Sequence, residues 1–316
     1  MTRTTDSIPI VDVEPLTNGE ACPQTLNALR RANQEAGFAY VRNHGIASSV
    51  IDAARQSAVA FFQLSQAEKS AVTVSRQHRG WLAQGEARMS DNESVDLKES
   101  FIWGAPNEPN GAATNHSLQG PNQWPDHNRN DFSTHASAWF EAAQHLAESL
   151  LRGFARSLDL SDNFFLSYSD RPLSRASYVF YPRQSTLSNN QFGVAPHTDF
   201  GMLTILCQDE VGGLQIENAD GEWIDAPPVA DTLVVNIGDL LHRWTNGLFR
   251  SARHRVMCPQ DSDRLSLVLA YDPNPETLID AADLALSGSI QEQPITCGDY
   301  LDWRFSKAFA YRDTSA

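Results

Sequence analysis

Between Ser177 and Ala270 the chain breaks into short apolar runs separated by Gly, Asn and Pro turns. Ser177–Phe180 ends at Tyr181–Pro182. Met202–Cys207, Leu214–Ile216, Trp223–Ile224, Val229–Ile237, Ala252–Met257 and Leu265–Ala270 follow. Runs of this length, β-branched and aromatic, are predicted to be strands. A succession of them with turns of this composition reads as an antiparallel sandwich or barrel. Only Asp239–Asn246, with Trp244, reads as a short helical or turn segment inside this region.

The flanks read differently. Ile8–Val13 and Phe38–Val41 are predicted strands. Between them Pro23–Ala36 reads as a helix with Leu26, Leu29 and Ala32 on one face and Gly37 placed to end it. Ser48–Gln63 reads as a second helix, and Ser65–Gln66–Ala67–Glu68 fits a capping box for a third. Gly80–Gly104 reads as a strand pair, and Gly104–Asn130 is loop. The longest helical pattern runs from Asp131 to about Leu158. Phe140, Ala143, Ala147, Leu150 and Phe154 recur in it at steps of three and four, which makes one core-facing stripe. The tail Pro294–Phe309 reads as helical.

Composition excludes some functions. A formal net charge of −15 leaves no excess of Lys and Arg to grip nucleic acid or an anionic membrane. Cys22, Cys207, Cys258 and Cys297 are dispersed with no C-x-x-C, so they read as reduced thiols in a cytoplasmic chain. Ile8–Val13 is too short for a signal core or a membrane span.

The chemistry-bearing stretch is His197–Thr198–Asp199. In a strand, residues two apart share a face, so an imidazole and a carboxylate at this spacing can grip one ion. His254, in Arg253–His254–Arg255–Val256, is the candidate third ligand. Two His and one carboxylate on one face of an octahedron leave three adjacent positions open, the pattern of non-haem Fe(II) sites that activate O2. Ten residues on, Arg264–Leu265–Ser266 puts a guanidinium and a hydroxyl on one strand face, a fork able to hold a carboxylate. His44 reads as a turn residue after a strand, not as a ligand.

With these residues the sequence resembles the plant-type 2-oxoglutarate/Fe(II)-dependent dioxygenases, the isopenicillin N synthase-like family. The resemblance runs along nearly the whole chain. It includes Ile8–Asp12, Asn43–His44–Gly45–Ile46, Asp96–Phe101, Gly120–Pro125, Tyr181–Pro182, Gly238–Asp239 and Thr245–Asn246–Gly247, besides the three motifs above. It departs at Val179, where many members carry Asn, and at His242, where many carry Gln.

The resemblance implies a mainly β fold with flanking helices around a double-stranded β-helix, or jelly roll. It implies an N-terminal α/β region, 1–125. Region 126–316 would hold a helix behind the sheet, the core at about 171–275 and a C-terminal helix, all in one compact unit. Iron would be held by His197, Asp199 and His254. 2-Oxoglutarate would be anchored by Arg264, Ser266 and Tyr181. O2 would oxidise a small-molecule substrate while 2-oxoglutarate is converted to succinate and CO2. Phe101, Trp103, Phe192 and Leu203 are pocket candidates, and Arg183–Gly193 a candidate lid. Two alternatives stay open: an iron oxidase of the isopenicillin N synthase type that does without 2-oxoglutarate, and a non-catalytic ligand-binding protein on the same fold. The sequence leaves the substrate and the oligomeric state open.

Overall fold

The computed structural model describes residues 8–88, 95–105, 116–126, 128–185, 191–284, 289–290 and 292–312. In chain order the N-terminal part supplies β1 (Ile10–Asp12), α1 (Glu14–Thr17), α2 (Pro23–Glu35), β2 (Phe38–Arg42), α3 (Ser48–Phe62), α4 (Gln66–Ser70), β3 (Gly80–Leu82) and β4 (Glu99–Gly104). The helix α5 (Arg129–Ser157) follows. Then come β5 (Arg175–Tyr181), β6 (Val194–His197), β7 (Leu203–Gln208), β8 (Leu214–Glu217), β9 (Trp223–Asp225) and β10 (Thr232–Ile237). The chain ends in α6 (Asp239–Trp244), β11 (His254–Val256), β12 (Arg264–Tyr271), β13 (Leu278–Ile279), β14 (Ile295–Thr296) and α7 (Cys297–Ala308).

Eight strands make the larger sheet, in the order β1-β2-β10-β7-β12-β5-β4-β3, and four make the smaller, β6-β11-β8-β9. All pairs are antiparallel except β1 with β2. Strand alternation divides the larger sheet into two faces. Along β12, Leu265, Leu267, Leu269 and Tyr271 join the cluster that packs on α5, whereas Val268 packs toward the smaller sheet. Val179, Tyr181 and Val234 of the larger sheet meet Val194, Leu214, Ile216 and Val256 of the smaller one, which closes the jelly roll. Arg264 and Ser266 share the strand parity of Val268, so they stand on this inner face.

The stripe on α5 packs as its period requires. Phe140, Ala143, Ala147, Leu150 and Phe154 are buried, and the small side chains let the helix lie close to the sheet. At α2 the stop is enforced by Gly37. Its φ is +68, and a Cβ there would collide with Arg250 O. The capping box at Ser65 and Glu68 is formed. Observed strands shift from the expected ends by up to three residues. β5 begins at Arg175 rather than Ser177 because it pairs along its whole length with β12. No helix among the described residues is long and apolar enough to cross a membrane.

Candidate metal centre

Antiparallel pairing of β6 and β11 sets His254 directly opposite His197. Asp199 lies beyond the end of β6, in the turn leading to β7. Turn geometry, not the strand pleat expected of an H-x-D triplet, therefore carries its carboxylate to the imidazoles. Two contacts fix that turn. Asp239 N–H donates to Asp199 O at 2.8 Å, and Gly238 N–H donates to Met202 O at 2.9 Å. Gly201 is required there, since a Cβ would overlap the buried Asp272 carboxylate, whose Oδ1 accepts the Met202 N–H at 3.0 Å.

The ligating atoms of His197, Asp199 and His254 all lie within 4.8 Å of one another. Each Nε2 stands 3.7 Å from Asp199 Oδ1. Metal–donor bonds of about 2.0–2.2 Å let two donors on one ion stand up to roughly 4 Å apart, so this spacing fits a shared ion. Backbone carbonyls set the tautomers. His197 Nδ1 donates to Ala195 O at 2.8 Å, and His254 Nδ1 to Ala252 O at 3.2 Å, leaving both Nε2 lone pairs turned to Asp199. Burial, followed by the neighbouring His254, pushes His197 down to about 3, so its ring is neutral near pH 7. Burial by itself would raise Asp199. The two imidazoles, with hydrogen bonds from Thr204 and Asn236, outweigh it and hold the carboxyl below its usual range.

Asn236 is the functional neighbour that sequence reasoning missed. Its Nδ2 donates to Asp199 Oδ2 at 2.7 Å, which fixes the carboxylate and leaves Oδ1 toward the imidazoles. The signal was a lone amide in the apolar run Leu233–Val234–Val235–Asn236–Ile237 of β10, buried to 3% exposure.

A second polar group stands on the inner face. Arg264 is 1% exposed; its Nε donates to Gly212 O at 2.6 Å. Its Nη1 and Nη2, with Ser266 Oγ, are buried with no hydrogen-bond partner among the described residues. Guanidinium N–H groups and a hydroxyl are rarely left so without a ligand. They fit one carboxylate. Tyr181 pairs with Arg264 across the strands, and its ring centroid stands 4.6 Å from the guanidinium. A cavity of about 180 Å³ is lined by His197, Asp199, Val179 and Val268 among others. It thus reaches the strand positions two before Tyr181 and two after Ser266.

None of the four pocket candidates lines the cavity. Phe101 and Trp103 are fully buried on the helix side of β4, against Phe132 and Tyr178. Leu203 belongs to the same helix-side core. A strand flips face at every residue, so their neighbours Ser100, Ile102 and Thr204 line the cavity instead. Phe192 is buried against the Arg255 guanidinium and does not line the cavity. Of the lid candidate Arg183–Gly193, residues 186–190 lie outside the described residues. Val179 does line the cavity, whereas His242 faces its own turn, its Nδ1 2.7 Å from Phe249 O. His44 Nδ1 accepts the Ile46 N–H at 3.2 Å, as a turn residue does.

Comparison with known proteins agrees with this geometry. Residues 8–127 match the non-haem dioxygenase in morphine synthesis N-terminal family, and residues 168–273 match the 2OG-Fe(II) oxygenase superfamily. Homoarginine-6-hydroxylase 2-ODD-C23 of Glycine max is 32% identical over 299 residues, 88% of each chain. A 2-oxoglutarate-Fe(II) type oxidoreductase, hxnY, of Emericella nidulans is 28% identical and covers 95% of this chain and 90% of its own. The crystal structure of a full-length Neurospora crassa protein in complex with alpha-KG superposes with a TM-score of 0.85 at 28% identity, covering 97% of this chain and 98% of that one.

Proposed function

The chain belongs to the 2OG-Fe(II) oxygenase superfamily, and from that premise we propose that His197, Asp199 and His254 hold its ferrous ion while Arg264 and Ser266 anchor 2-oxoglutarate. The protein is an Fe(II)- and 2-oxoglutarate-dependent oxygenase acting on a small molecule. When bound, the iron and 2-oxoglutarate supply O2-driven oxidation of a substrate C–H bond, with succinate and CO2 as co-products.

The chain's own part is binding and orientation. Both imidazoles are held by backbone carbonyls with their Nε2 lone pairs inward, and Asn236 keeps one carboxylate oxygen of Asp199 aimed at them. The Arg264 fork offers two parallel donors and Ser266 a hydroxyl, on the larger sheet's inner face, whereas His197 and His254 stand on the smaller sheet. Tyr181 supports the guanidinium by its ring. Ile102, Val179, Val268, Phe200, Phe305 and Phe309 supply the apolar part of the cavity beside the triad.

One observation supports a bound carboxylate, the buried, unpartnered Nη1 and Nη2 of Arg264 beside Ser266 Oγ, and the similarity to 2-oxoglutarate enzymes points to which carboxylate it is. The triad alone would serve an oxidase without 2-oxoglutarate equally well; a carboxylate anchor has a use only if a carboxylate binds. The test is succinate formed per O2 consumed. A one-to-one ratio is expected, and His197→Ala, Asp199→Ala and His254→Ala should each abolish succinate. O2 uptake without succinate, or succinate from all three folded variants, overturns the assignment.

The finer reading follows the same lines. Net charge −15 supports a partner set without nucleic acid or membrane, and four free cysteines support a cytoplasmic location. The eight-stranded sheet, which takes strands from before and after α5, supports region 1–125 and the core acting as one unit.

A further inference from the structure

The cavity beside the triad is electrically one-sided. Lys98 and Arg175 line it. Their acidic partners stand behind them, both at 0% exposure and neither on the cavity wall. Asp96 Oδ2 is 3.3 Å from Lys98 Nζ, and Asp272 Oδ2 is 2.9 Å from Arg175 Nη2. Each acid also spends its other oxygen on the backbone, Asp96 on the Ala195 N–H and Asp272 on the Met202 N–H. Arg175 is held on three sides, with Nη1 on Leu173 O, Nη2 on Asp272 and its guanidinium 4.9 Å from the Phe305 ring centroid. Lys98 is not. An ammonium has three donors, and among the described residues Asp96 is the one ion-pair partner of this one. The only acid on the wall, among the described residues, is Asp199, which belongs to the triad.

Part of the wall is aromatic, with Arg175 over the Phe305 ring at 4.9 Å and Arg304 over the Phe200 ring at 4.1 Å. Phe200 meets Phe305 edge to face at 5.7 Å between centroids, and Phe305 meets Phe309 at 5.3 Å. Ring faces and edges of this kind suit a flat ligand. A guanidinium or ammonium brought into the cavity would find two cations and no acid to pair with beyond Asp199. A carboxylate would find the spare donors of Lys98 at a site of low exposure, where such a bond is strongest.

We propose that this cavity selects a small planar substrate bearing a carboxylate, its charge seated on Lys98 and its ring against Phe200, Phe305 and Phe309. The proposal rests on the oxygenase reading, which makes this cavity the substrate site. Lys98 then sets specificity by charge, while the triad sets the position at which the bound molecule is oxidised.

The test is calorimetric binding to the anaerobic Fe(II)–2-oxoglutarate protein. The probes are 3-phenylpropanoate, 3-phenylpropanamide and 3-phenylpropylamine, which share a ring and a chain and differ in charge. The acid should bind at least tenfold more tightly than either the amide or the amine. Lys98→Met should erase that preference and Lys98→Arg should keep it. Because Lys98→Met strands the Asp96 carboxylate, the double variant Asp96→Asn/Lys98→Met is measured as well and should also show no preference. An amine or amide that binds as well as the acid overturns the proposal. So does an acid that fails to bind at millimolar concentration, or a preference that survives in both neutralised variants. Succinate is assayed on the same wild-type preparation. Succinate without charge preference removes the Lys98 proposal alone, whereas charge preference without succinate removes the oxygenase reading and leaves Lys98 as an anion site without a substrate role.

Discussion

Arg264 shows how much a single side chain can specify. Its Nε is used up on Gly212 O, its ring-facing side on Tyr181, and its two terminal nitrogens on nothing within the described residues. Arg264→Ala should weaken 2-oxoglutarate by at least one charge-assisted bond of about 1.5–3 kcal/mol, roughly 10- to 150-fold. Iron affinity should stay within a few fold, since the residue does not touch the triad; titration of each ligand separately checks both. Asn236→Ala should show the reverse pattern. Loss of the amide that fixes Asp199 should lower iron affinity by about 10- to 100-fold while 2-oxoglutarate binding to the iron-loaded protein changes little. If Asn236→Ala binds iron as the wild type does, the hydrogen bond at 2.7 Å has no orienting role.

At the scale of elements, Asp239 ties α6 to the metal turn and to α7. Its Oδ2 accepts from Thr198 Oγ1 at 3.1 Å, Tyr300 Oη at 2.8 Å and Arg304 Nη1 at 2.9 Å, and its Oδ1 from Ser251 Oγ at 2.8 Å. Thr198 sits between His197 and Asp199, two of the three proposed ligands, so one carboxylate couples α7, with its Phe305, to the H-x-D turn. Asp239→Ala should cost about 1.5–3 kcal/mol of stability and loosen α7. Hydrogen exchange should then rise in α7 and in the 198–202 turn together; a rise in only one of them refutes the coupling. The contact of the turn before β3 with the end of α7 has its own pH dependence. His78 is packed on Phe305 and Phe309, and burial, followed by the charges of Arg175, Arg79, Arg312 and Lys98, pushes it well below its ordinary value. A histidine near 6.5 in the unfolded chain takes up a proton that the folded one refuses, so this contribution is present above about pH 6.5 and is lost as pH falls. The melting temperature of the wild type should therefore fall more steeply between pH 7 and 5 than that of His78→Gln. Parallel curves would remove His78 from the account.

For the whole molecule, periodicity carried the reading a long way. The strand runs, the α5 stripe, the Gly37 stop and the Ser65 capping box are local consequences of side-chain chemistry, and they stand in the structure where the residues put them. Ligand types were legible for the same reason, since imidazole, carboxylate and guanidinium announce their chemistry by themselves. Phase was not legible. Phe101, Trp103 and Leu203 were placed one residue out of step, because an isolated strand shows two faces and no sign of which one the long helix will cover. The packing of α5 on one side of the larger sheet decided that, and so gave the cavity Ser100, Ile102 and Thr204 instead. Asn236 needed β10 to lie beside β7 before its amide meant anything, and Lys98 needed Asp96 behind it before its free donors pointed anywhere. The sequence by itself determined which groups could do the chemistry and that the fold would be antiparallel β, because both follow from local residue types and spacing. Only the tertiary structure decided which of those groups face one another, because strand pairing and face assignment are settled by contacts between residues far apart in the chain.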